Sequence, residues 1–391
     1  MSPALSLILI VAAAYFAAHV VFEWLARRFR IVSGAEYLVL GILLGPQVSG
    51  FMSANVVQSF APFMTLALGW TGAALGMNFY LPRLMRAPGA VYSTAATEAV
   101  LTYLFVSALM LLGLSLALGV EYNRVILPAL SLGAIATATA SSAVVLLGES
   151  TPHPVVQQLE ITALMDGAFS ICAFGILLCV VHIDVSIGER NLTATEWAAI
   201  TLGIGVIGGS LFHLFIGPER DADRLFVAMA GAIILASGAA AYLRLSPLLP
   251  SLVIGIILVN TSTNRAELTR LMAAVEKPLY YVLLLFAGAA WQPSDRYNWI
   301  IMIVLFVFVR AAGKLGSARL ATRLVGDPAL KGAQWGRGLL GQGTIALAIG
   351  MSYSLNDTTL VPNIVFTAAV ASVLVTDLFA VRVVHALVRG D

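Results

Sequence analysis

The sequence predicts an all-α polytopic membrane protein with about thirteen transmembrane helices. Of its 391 residues, 60% are hydrophobic and only 11% are charged, whereas soluble domains contain about 25% charged residues. The apolar residues form long runs, many of them close to the roughly 20 residues that a helix needs to cross a bilayer. These two observations exclude a soluble enzyme, which needs a charged exterior. They also exclude a transmembrane β-barrel, whose strands are short alternating segments.

Thirteen apolar stretches are candidate spans, separated by short polar connections that contain proline and glycine. They cover residues 4–26, 34–50, 58–80, 90–118, 125–148, 155–182, 196–216, 224–244, 248–262, 277–292, 297–320, 333–354 and 361–387. No soluble domain fits between them, and only four residues follow the last one. We therefore expect a single transmembrane domain over residues 1–391, with no soluble regulatory domain.

The basic residues predict the orientation of the chain, because cytoplasmic loops are enriched in Lys and Arg. Loops that follow odd-numbered spans, together with the C-terminus, carry sixteen of the 22 basic residues. Loops that follow even-numbered spans carry four, namely Arg124, Arg190, Arg244 and Arg296. This bias predicts an N-terminus outside and a cytoplasmic C-terminus, in the plasma (inner) membrane.

An internal repeat is predicted from a match between spans two and nine. Five of eight positions are identical between residues 38–45 and residues 252–259. An offset of seven spans gives the two halves opposite orientations in the membrane. We therefore predict inverted-topology repeats over about 4–182 and about 224–387, joined by a linker helix at about 196–216. This plan is common among secondary transporters.

Five ionisable residues are predicted to lie deep in the membrane, where a charge costs about 2.5–3.5 kcal/mol on insertion scales. They are Glu98, Asp166, Arg310, Lys314 and Asp377. Asp166 lies near the middle of span six, and its chain neighbours cannot pair with it, so we expect it to bind an ion or a proton. Arg310 is expected to balance charge. Glu98 and Asp377 are equally compatible with function and with structural pairing. Lys314 is a further candidate charge partner, although we expect it to extend towards the cytoplasmic face.

Two spans are poorly suited to an unbroken helix. Span five contains a cluster of hydroxyl side chains around Thr139 and Ser142, which compete for backbone hydrogen bonds. Span twelve, its counterpart in the repeat, has four glycines between Gly336 and Gly343. Broken helices at matched positions predict a binding site at their ends, although close helix packing through small residues would give the same pattern.

The motifs of these spans, taken in order, resemble the monovalent cation:proton antiporter superfamily, the sodium/hydrogen exchanger family. The resemblance covers nearly the whole chain. It is carried by Gly41–Pro46 in span two, Ala138–Val145 in span five, Met165–Asp166 in span six, Arg310 with Lys314 and Gly316 in span eleven, and Gly338–Gly343 in span twelve. It implies that spans 4–6 and 11–13 form a moving core against a scaffold that forms a homodimer.

Two departures from the family pattern bear on the site. Met165 stands where the family has the first residue of an Asp-Asp or Asn-Asp pair, so the chain is an atypical member. Span three has no acid, whereas some electroneutral relatives place a Glu there to pair with the basic residue of span eleven. In this chain Glu98, Asp377 or Asp166 is expected to be the partner of Arg310.

The predicted function is a secondary active transporter, not an enzyme, that exchanges a monovalent cation (Na⁺ or K⁺) for protons by alternating access. Asp166 is the shared cation and proton site, and a single carboxylate favours electroneutral exchange. Thr139, Ser142 and Gln342 with its neighbouring carbonyls are expected to supply the neutral oxygens that hard cations prefer.

Two alternatives remain open from the sequence. One is a sodium-coupled symporter of an organic anion on the same fold, with Arg310 binding the anion. The other is a non-transporting sensor or partner subunit, which Met165 and the acid-free third span suggest. Neither a cofactor nor a metal beyond the transported cation is expected, and the partners are that cation, protons and the lipid bilayer, with no nucleic acid.

Overall fold

The computed structural model describes residues 35–119, 121–140, 154–182, 186–187, 190–216, 221–291, 298–326, 335–356 and 364–376. Within these ranges the chain is helical apart from turns, short extended stretches and one small hairpin. The hairpin pairs Ser186–Ile187 with Arg190–Asn191 in an antiparallel arrangement. The all-α fold class predicted from the sequence is therefore confirmed.

The described helices are numbered in chain order. They are α1 (Ala35–Leu44), α2 (Ala54–Ser59), α3 (Ala61–Met77), α4 (Leu81–Leu84), α5 (Gly89–Leu118), α6 (Tyr122–Thr137), α7 (Pro154–Val181), α8 (Ala194–Ile216), α9 (Ala222–Tyr242), α10 (Leu248–Thr261), α11 (Arg265–Ala290), α12 (Asn298–Val325), α13 (Gly343–Asn356) and α14 (Ile364–Thr376). A 3₁₀ helix at Trp335–Leu339 precedes α13.

Six of the described helices, α5, α7, α8, α9, α11 and α12, are long and apolar enough to cross a membrane. The chain is thus a multi-pass integral membrane protein, and every predicted span from two to thirteen contains a described helix. Span one lies outside the described residues. The count of thirteen and the inverted repeat stay predictions.

Spans two, three and ten show the clearest differences from their predicted course. Span two ends as a helix at Leu44 and continues as a turn. Span three is divided at Phe60, where α2 ends and α3 begins with Pro62 in its first turn. Span ten starts at Arg265 instead of 277, because its first turns are charged and carry the exposed Glu267–Arg270 ion pair. The charged first turns of this helix lie outside the apolar run, so the apolar run alone does not indicate where the helix begins.

Glycine brings helices into backbone contact, and the pairs α1–α11 and α3–α10 pack in this way. A Cβ atom at Gly41 of α1 would overlap the carbonyl oxygen of Leu285 in α11, and one at Gly288 would overlap that of Leu38. Likewise, a Cβ at Gly72 of α3 would overlap the carbonyl oxygen of Leu248 in α10. Small residues allow this close approach, which in a bilayer replaces the hydrophobic effect as the force between helices.

These two contacts are related by the predicted repeat. The first joins spans two and ten, and the second joins spans nine and three. In the predicted repeat, span nine is the counterpart of span two, and span three is the counterpart of span ten. The repeat therefore converts the first contact into the second. The counterparts α5 (span four) and α12 (span eleven) also pack extensively against each other, and α7 lies against α5 and α6. These helices carry Glu98, Asp166, Arg310 and Lys314, the deep charged residues that the structure describes.

Replacing Gly41 by alanine is expected to destabilise the protein, because the added Cβ meets backbone that cannot rotate away. Overpacking of this kind costs about 1–3 kcal/mol. Gly231→Ala in α9 is the matched control, since a Cβ there meets nothing within 4 Å and alanine favours helix. Thermal unfolding in detergent should give a lower Tm for Gly41→Ala and an unchanged or higher Tm for Gly231→Ala. Equal values for the two variants would contradict the packing described.

Candidate functional site

The chain is non-helical at two places that lie against each other. Helix α6 ends at Thr137 and residues 138–140 are extended, while residues 340–342 separate the 3₁₀ helix from α13. The Ala140 N–H donates a 3.0 Å hydrogen bond to the Gly341 carbonyl, which joins the two stretches. Gly343 has a φ of +67°, and a Cβ there would come within 2.9 Å of Ala140 Cβ. Glycine is therefore required at this crossing, and the predicted interruption of span twelve is confirmed.

Arg310 of α12 binds the carbonyl groups that these interruptions release. Its guanidinium donates to the carbonyl oxygens of Leu340 at 2.7 Å, Ala138 at 3.2 Å, Gly341 at 3.4 Å and Leu339 at 3.5 Å. The side chain is 1% exposed. Two helix C-termini, with their partial negative charge, point to this region, and a buried cation balances them. Arg310 thus holds the crossing together.

Gln342 connects the crossing to neighbouring helices. Its Nε2 donates a 2.9 Å hydrogen bond to the Ile135 carbonyl in the last turn of α6. Its Oε1 accepts a hydrogen bond from Ser372 in α14. Both ends of the amide are occupied by protein groups, so in this conformation Gln342 positions the crossing instead of offering an oxygen to a cation.

Three buried charged side chains meet beside the crossing. Lys314 Nζ lies 2.7 Å from Asp166 Oδ2 and 3.3 Å from Glu98 Oε2. All three side chains are 0% exposed. They come from α12, α7 and α5, so the cluster depends on the packing of three different helices. We call Glu98, Asp166 and Lys314 the charged cluster.

Two threonines complete the surroundings of the charged cluster. Thr139, in the extended stretch after α6, donates a 2.5 Å hydrogen bond to Asp166 Oδ2. Thr102, one turn after Glu98 on α5, donates a 2.7 Å hydrogen bond to Glu98 Oε1. Asp166 Oδ1 is buried and has no hydrogen-bond partner among the described residues. A buried carboxylate oxygen without a partner is costly, and it is a suitable ligand for a proton or a hard cation.

Comparison with known proteins gives this geometry a context. A family model described as "sodium/hydrogen exchanger, transmembrane" matches residues 20–390, which is nearly the whole chain. This chain belongs to the sodium/hydrogen exchanger family. Members of this cation:proton antiporter family are transporters, not enzymes.

Two further comparisons give a similar sequence and a similar fold. The chain is 22% identical over 275 residues to the ammonium/H⁺ antiporter subunit AmhT of Alkalihalophilus pseudofirmus, covering 68% of this chain and 67% of the relative. Its fold is similar to that of the sodium proton antiporter MjNhaP1 from Methanocaldococcus jannaschii at pH 8, with a TM-score of 0.72 and 13% identity over 99% of both chains. An electron-microscopy map of MjNhaP1 gives a TM-score of 0.70 and 13% identity, over 98% of both chains.

The structure corrects one expectation about this exchanger-family site. Lys314 was expected to extend to the cytoplasmic face, and this is wrong, because it is fully buried between two carboxylates, as a charge partner of both. Of the three carboxylates expected as candidate partners of Arg310, Glu98 and Asp166 contact Lys314. The third candidate, Asp377, lies outside the described residues, and so does Ser142.

Sequence reasoning did not identify Thr102. The signal was present, because a hydroxyl four residues after a buried acid lies one helical turn away on the same face. The placement of Lys314 failed for a related reason. Lys314 lies four residues after Arg310 on the same face of α12. Its distance from the end of the predicted span suggested a position near the cytoplasmic surface, but in the structure its side chain is buried.

Arg310→Gln is expected to lower the stability of the protein, because the four carbonyl groups at the crossing lose a charged donor. Hydrogen bonds to charged groups contribute about 1.5–3 kcal/mol each, so we expect a loss of at least about 2 kcal/mol. Arg319→Gln, on the exposed face of the same helix, is the control. Thermal unfolding in detergent should show a clear decrease in Tm for Arg310→Gln alone, and a decrease of equal size in both variants would disprove this role.

Proposed function

We propose that this protein exchanges a monovalent cation for protons across the membrane, with Asp166 binding the two in turn. The proposal is based on the burial and the hydrogen-bond partners of the Asp166 carboxylate. It is fully buried, it accepts from Lys314 and Thr139 through Oδ2, and its Oδ1 has no hydrogen-bond partner among the described residues. A bare carboxylate in this position is strongly disfavoured. Asp166 is therefore expected to hold either a bound cation or a proton.

The chemistry is a competition for one carboxylate. A proton neutralises Asp166 covalently, and a dehydrated cation neutralises it by coordination. Lys314 competes with both, since its ammonium group lies in contact with the same carboxylate. A hydroxyl oxygen such as that of Thr139 adds a neutral ligand of the kind that hard cations prefer. Because either loaded form is neutral at Asp166, either one crosses more easily than the bare carboxylate.

Alternating access gives this competition a direction. We infer that spans 4–6 and 11–13 move together against a scaffold of the remaining spans, and that the scaffold forms a homodimer. The contacts support this division: the charged cluster and the crossing lie within spans 4–6 and 11–13, while the glycine-mediated pairs α1–α11 and α3–α10 belong to the remaining spans. The distribution of basic residues further leads us to propose a plasma-membrane protein with its C-terminus in the cytoplasm.

The substrate class is a monovalent cation, with Na⁺ and K⁺ as the first candidates. The name of the relative AmhT adds ammonium. Ammonium donates hydrogen bonds in the same way as the Lys314 side chain that already contacts Asp166. A panel of Na⁺, K⁺, Li⁺ and NH₄⁺ therefore covers the proposal. The family assignment does not favour the two alternatives, an organic-anion symporter or a non-transporting subunit.

Asp166→Asn is expected to abolish cation-dependent proton flux, because an amide neither ionises nor attracts a cation. The assay uses proteoliposomes that contain a pH-sensitive dye, with each cation of the panel added in turn. Glu160→Gln is the matched control: it also removes a carboxylate from α7, but Glu160 is partly exposed and pairs with Arg83 at 3.5 Å. The control should keep the wild-type flux. Undiminished flux in Asp166→Asn would refute the proposed site.

Exchange by the wild-type protein is expected to be electroneutral, one cation for one proton. Asp166 carries one positive charge in each direction, and Met165 supplies no second acid beside it. Initial rates should therefore be the same with and without an imposed membrane potential. Moving one net charge through 100 mV involves about 2.3 kcal/mol, so an electrogenic exchanger would show a clear response, and that result would disprove electroneutrality.

A further inference from the structure

A cavity of about 320 Å³ lies where α3 begins and α13 ends, away from the charged cluster. It is lined by the first turns of α3, by the connection between α9 and α10, and by the last residues of α13. Helix α13 runs from Gly343 at the crossing to Asn356 beside the cavity, a length of about 20 Å at 1.5 Å per residue. The cavity is therefore separate from the site proposed for exchange.

This distance places the cavity at the depth of the lipid headgroups. Asp166, beside the crossing, is predicted to lie near the middle of the membrane, and the headgroup region ends about 20 Å from that middle. Tyr242, the last residue of α9, follows a lining residue of the cavity and is 87% exposed. Tyrosine is enriched at the level of the headgroups. Lipid headgroups therefore lie within reach of the cavity.

Arg244 brings a positive charge to the wall of the cavity. It forms no ion pair with any residue that the structure describes. Loops that follow even-numbered spans carry only four of the 22 basic residues, so the preference of basic residues for one face does not account for this arginine. A guanidinium group without an acid partner has planar donors that match the oxygens of a phosphate group.

The backbone at Arg244 is unusual for an arginine. Its φ is +55°, the one positive value at a non-glycine residue within the described ranges. It follows the last turn of α9, where the Leu245 N–H donates a 2.8 Å hydrogen bond to the Ala240 carbonyl. Helices commonly end in this way with glycine, which adopts the left-handed conformation without strain. Glycine would suit this turn better, so the arginine side chain serves something other than the turn.

Two hydrogen bonds hold the connection that carries Arg244. His182 Nε2 donates to the Leu243 carbonyl at 2.8 Å, and Ser352 of α13 donates to the Ser246 hydroxyl at 3.0 Å. The connection between α9 and α10 is thereby fixed to the end of α7 and to α13. The wall of the cavity is preorganised, which lowers the cost of binding a ligand.

Two buried hydroxyl groups lie one helical turn deeper along α9 and α10. Ser237 is four positions before the lining residue Ala241, and Ser251 is four positions after the lining residue Pro247. Neither Oγ atom has a hydrogen-bond partner among the described residues. Both lie close to Gly69, where a Cβ would come within 1.8 Å of Ser237 Oγ and 3.1 Å of Ser251 Oγ. Buried hydroxyls without partners favour a ligand that forms hydrogen bonds.

We propose that this cavity binds the phosphate headgroup of an anionic phospholipid. The Arg244 guanidinium pairs with the phosphate, the polar side chains of Thr65 and Asn356 border the headgroup, and the exposed Leu355 contacts the acyl chains. The volume of about 320 Å³ is at the lower end of the range of about 300–1,000 Å³ for ligand sites, and it suits a headgroup better than a whole lipid. The proposal does not depend on the proposed exchange at Asp166.

The test measures thermal unfolding of the purified, full-length protein in detergent with added phosphatidylglycerol. This anionic lipid should raise the Tm of the wild type by at least about 2 °C, because a ligand that binds the folded state stabilises it. Phosphatidylcholine, whose choline adds a positive charge, and sodium phosphate, which has no acyl chains, should give clearly smaller shifts. An equal shift with either of them would overturn the anionic lipid as the ligand.

Substitution of Arg244 separates lipid binding from folding. Without lipid, Arg244→Gly should have a higher Tm than the wild type, because glycine relieves the left-handed strain. With phosphatidylglycerol, the same variant should lose the shift, whereas Arg244→Lys should keep part of it. The control is Arg124→Gln, which removes another exposed arginine from a loop of the same predicted face and should keep the full shift.

A second variant tests the cavity itself. Ala241→Phe fills the cavity and leaves Arg244 in place, so it should also lose the shift, and this test remains if Arg244→Gly does not fold. The proposal is overturned if phosphatidylglycerol leaves the wild-type Tm unchanged, or if Arg244→Gly or Ala241→Phe shows the wild-type shift. A Tm of Arg244→Gly below that of the wild type without lipid would show that the arginine serves the fold, and would overturn it too.

Discussion

The placement of one ammonium group between two carboxylates in the buried interior is the interaction on which the site depends. Lys314 contacts Asp166 and Glu98, and none of the three side chains is exposed. Each of these charges alone would be prohibitively costly at this depth. Together they allow a carboxylate to remain buried and still exchange its partner. The rest of the fold can be understood as the framework that brings three helices to this point.

That framework combines rigid packing with a local absence of helix. Glycines such as Gly41 and Gly72 bring neighbouring helices into backbone contact, which provides stability where lipid offers no hydrophobic driving force. At the crossing, by contrast, the chain releases carbonyl groups that Arg310 and Gln342 bind. The extended stretch after α6 also places Thr139 against Asp166. The interruption of the helices therefore builds the site, at the cost of needing a buried arginine to stabilise it.

Much of this architecture follows from the sequence because a membrane restricts what a chain can do. Apolar runs predicted a helix for every span from two to thirteen, and the clustered hydroxyls and glycines predicted where helices break. Asp166 was identified because an acid in the middle of an apolar run has few explanations. The partners were not predictable, since they depend on how α5, α7 and α12 rotate about their axes. Lys314 and Arg310 lie one turn apart, and packing alone decides that the first meets carboxylates and the second meets carbonyl groups.

The central claim is that a transported cation replaces Lys314 at Asp166. An experimental structure determined with Tl⁺, an electron-dense monovalent cation, tests it directly, with the same preparation at low pH without Tl⁺ as the reference. The account predicts a density peak in contact with Asp166 and Thr139, with Lys314 Nζ moved away from Asp166 and in closer contact with Glu98. A peak remote from Asp166, or a Lys314–Asp166 contact unchanged with the cation bound, would contradict it.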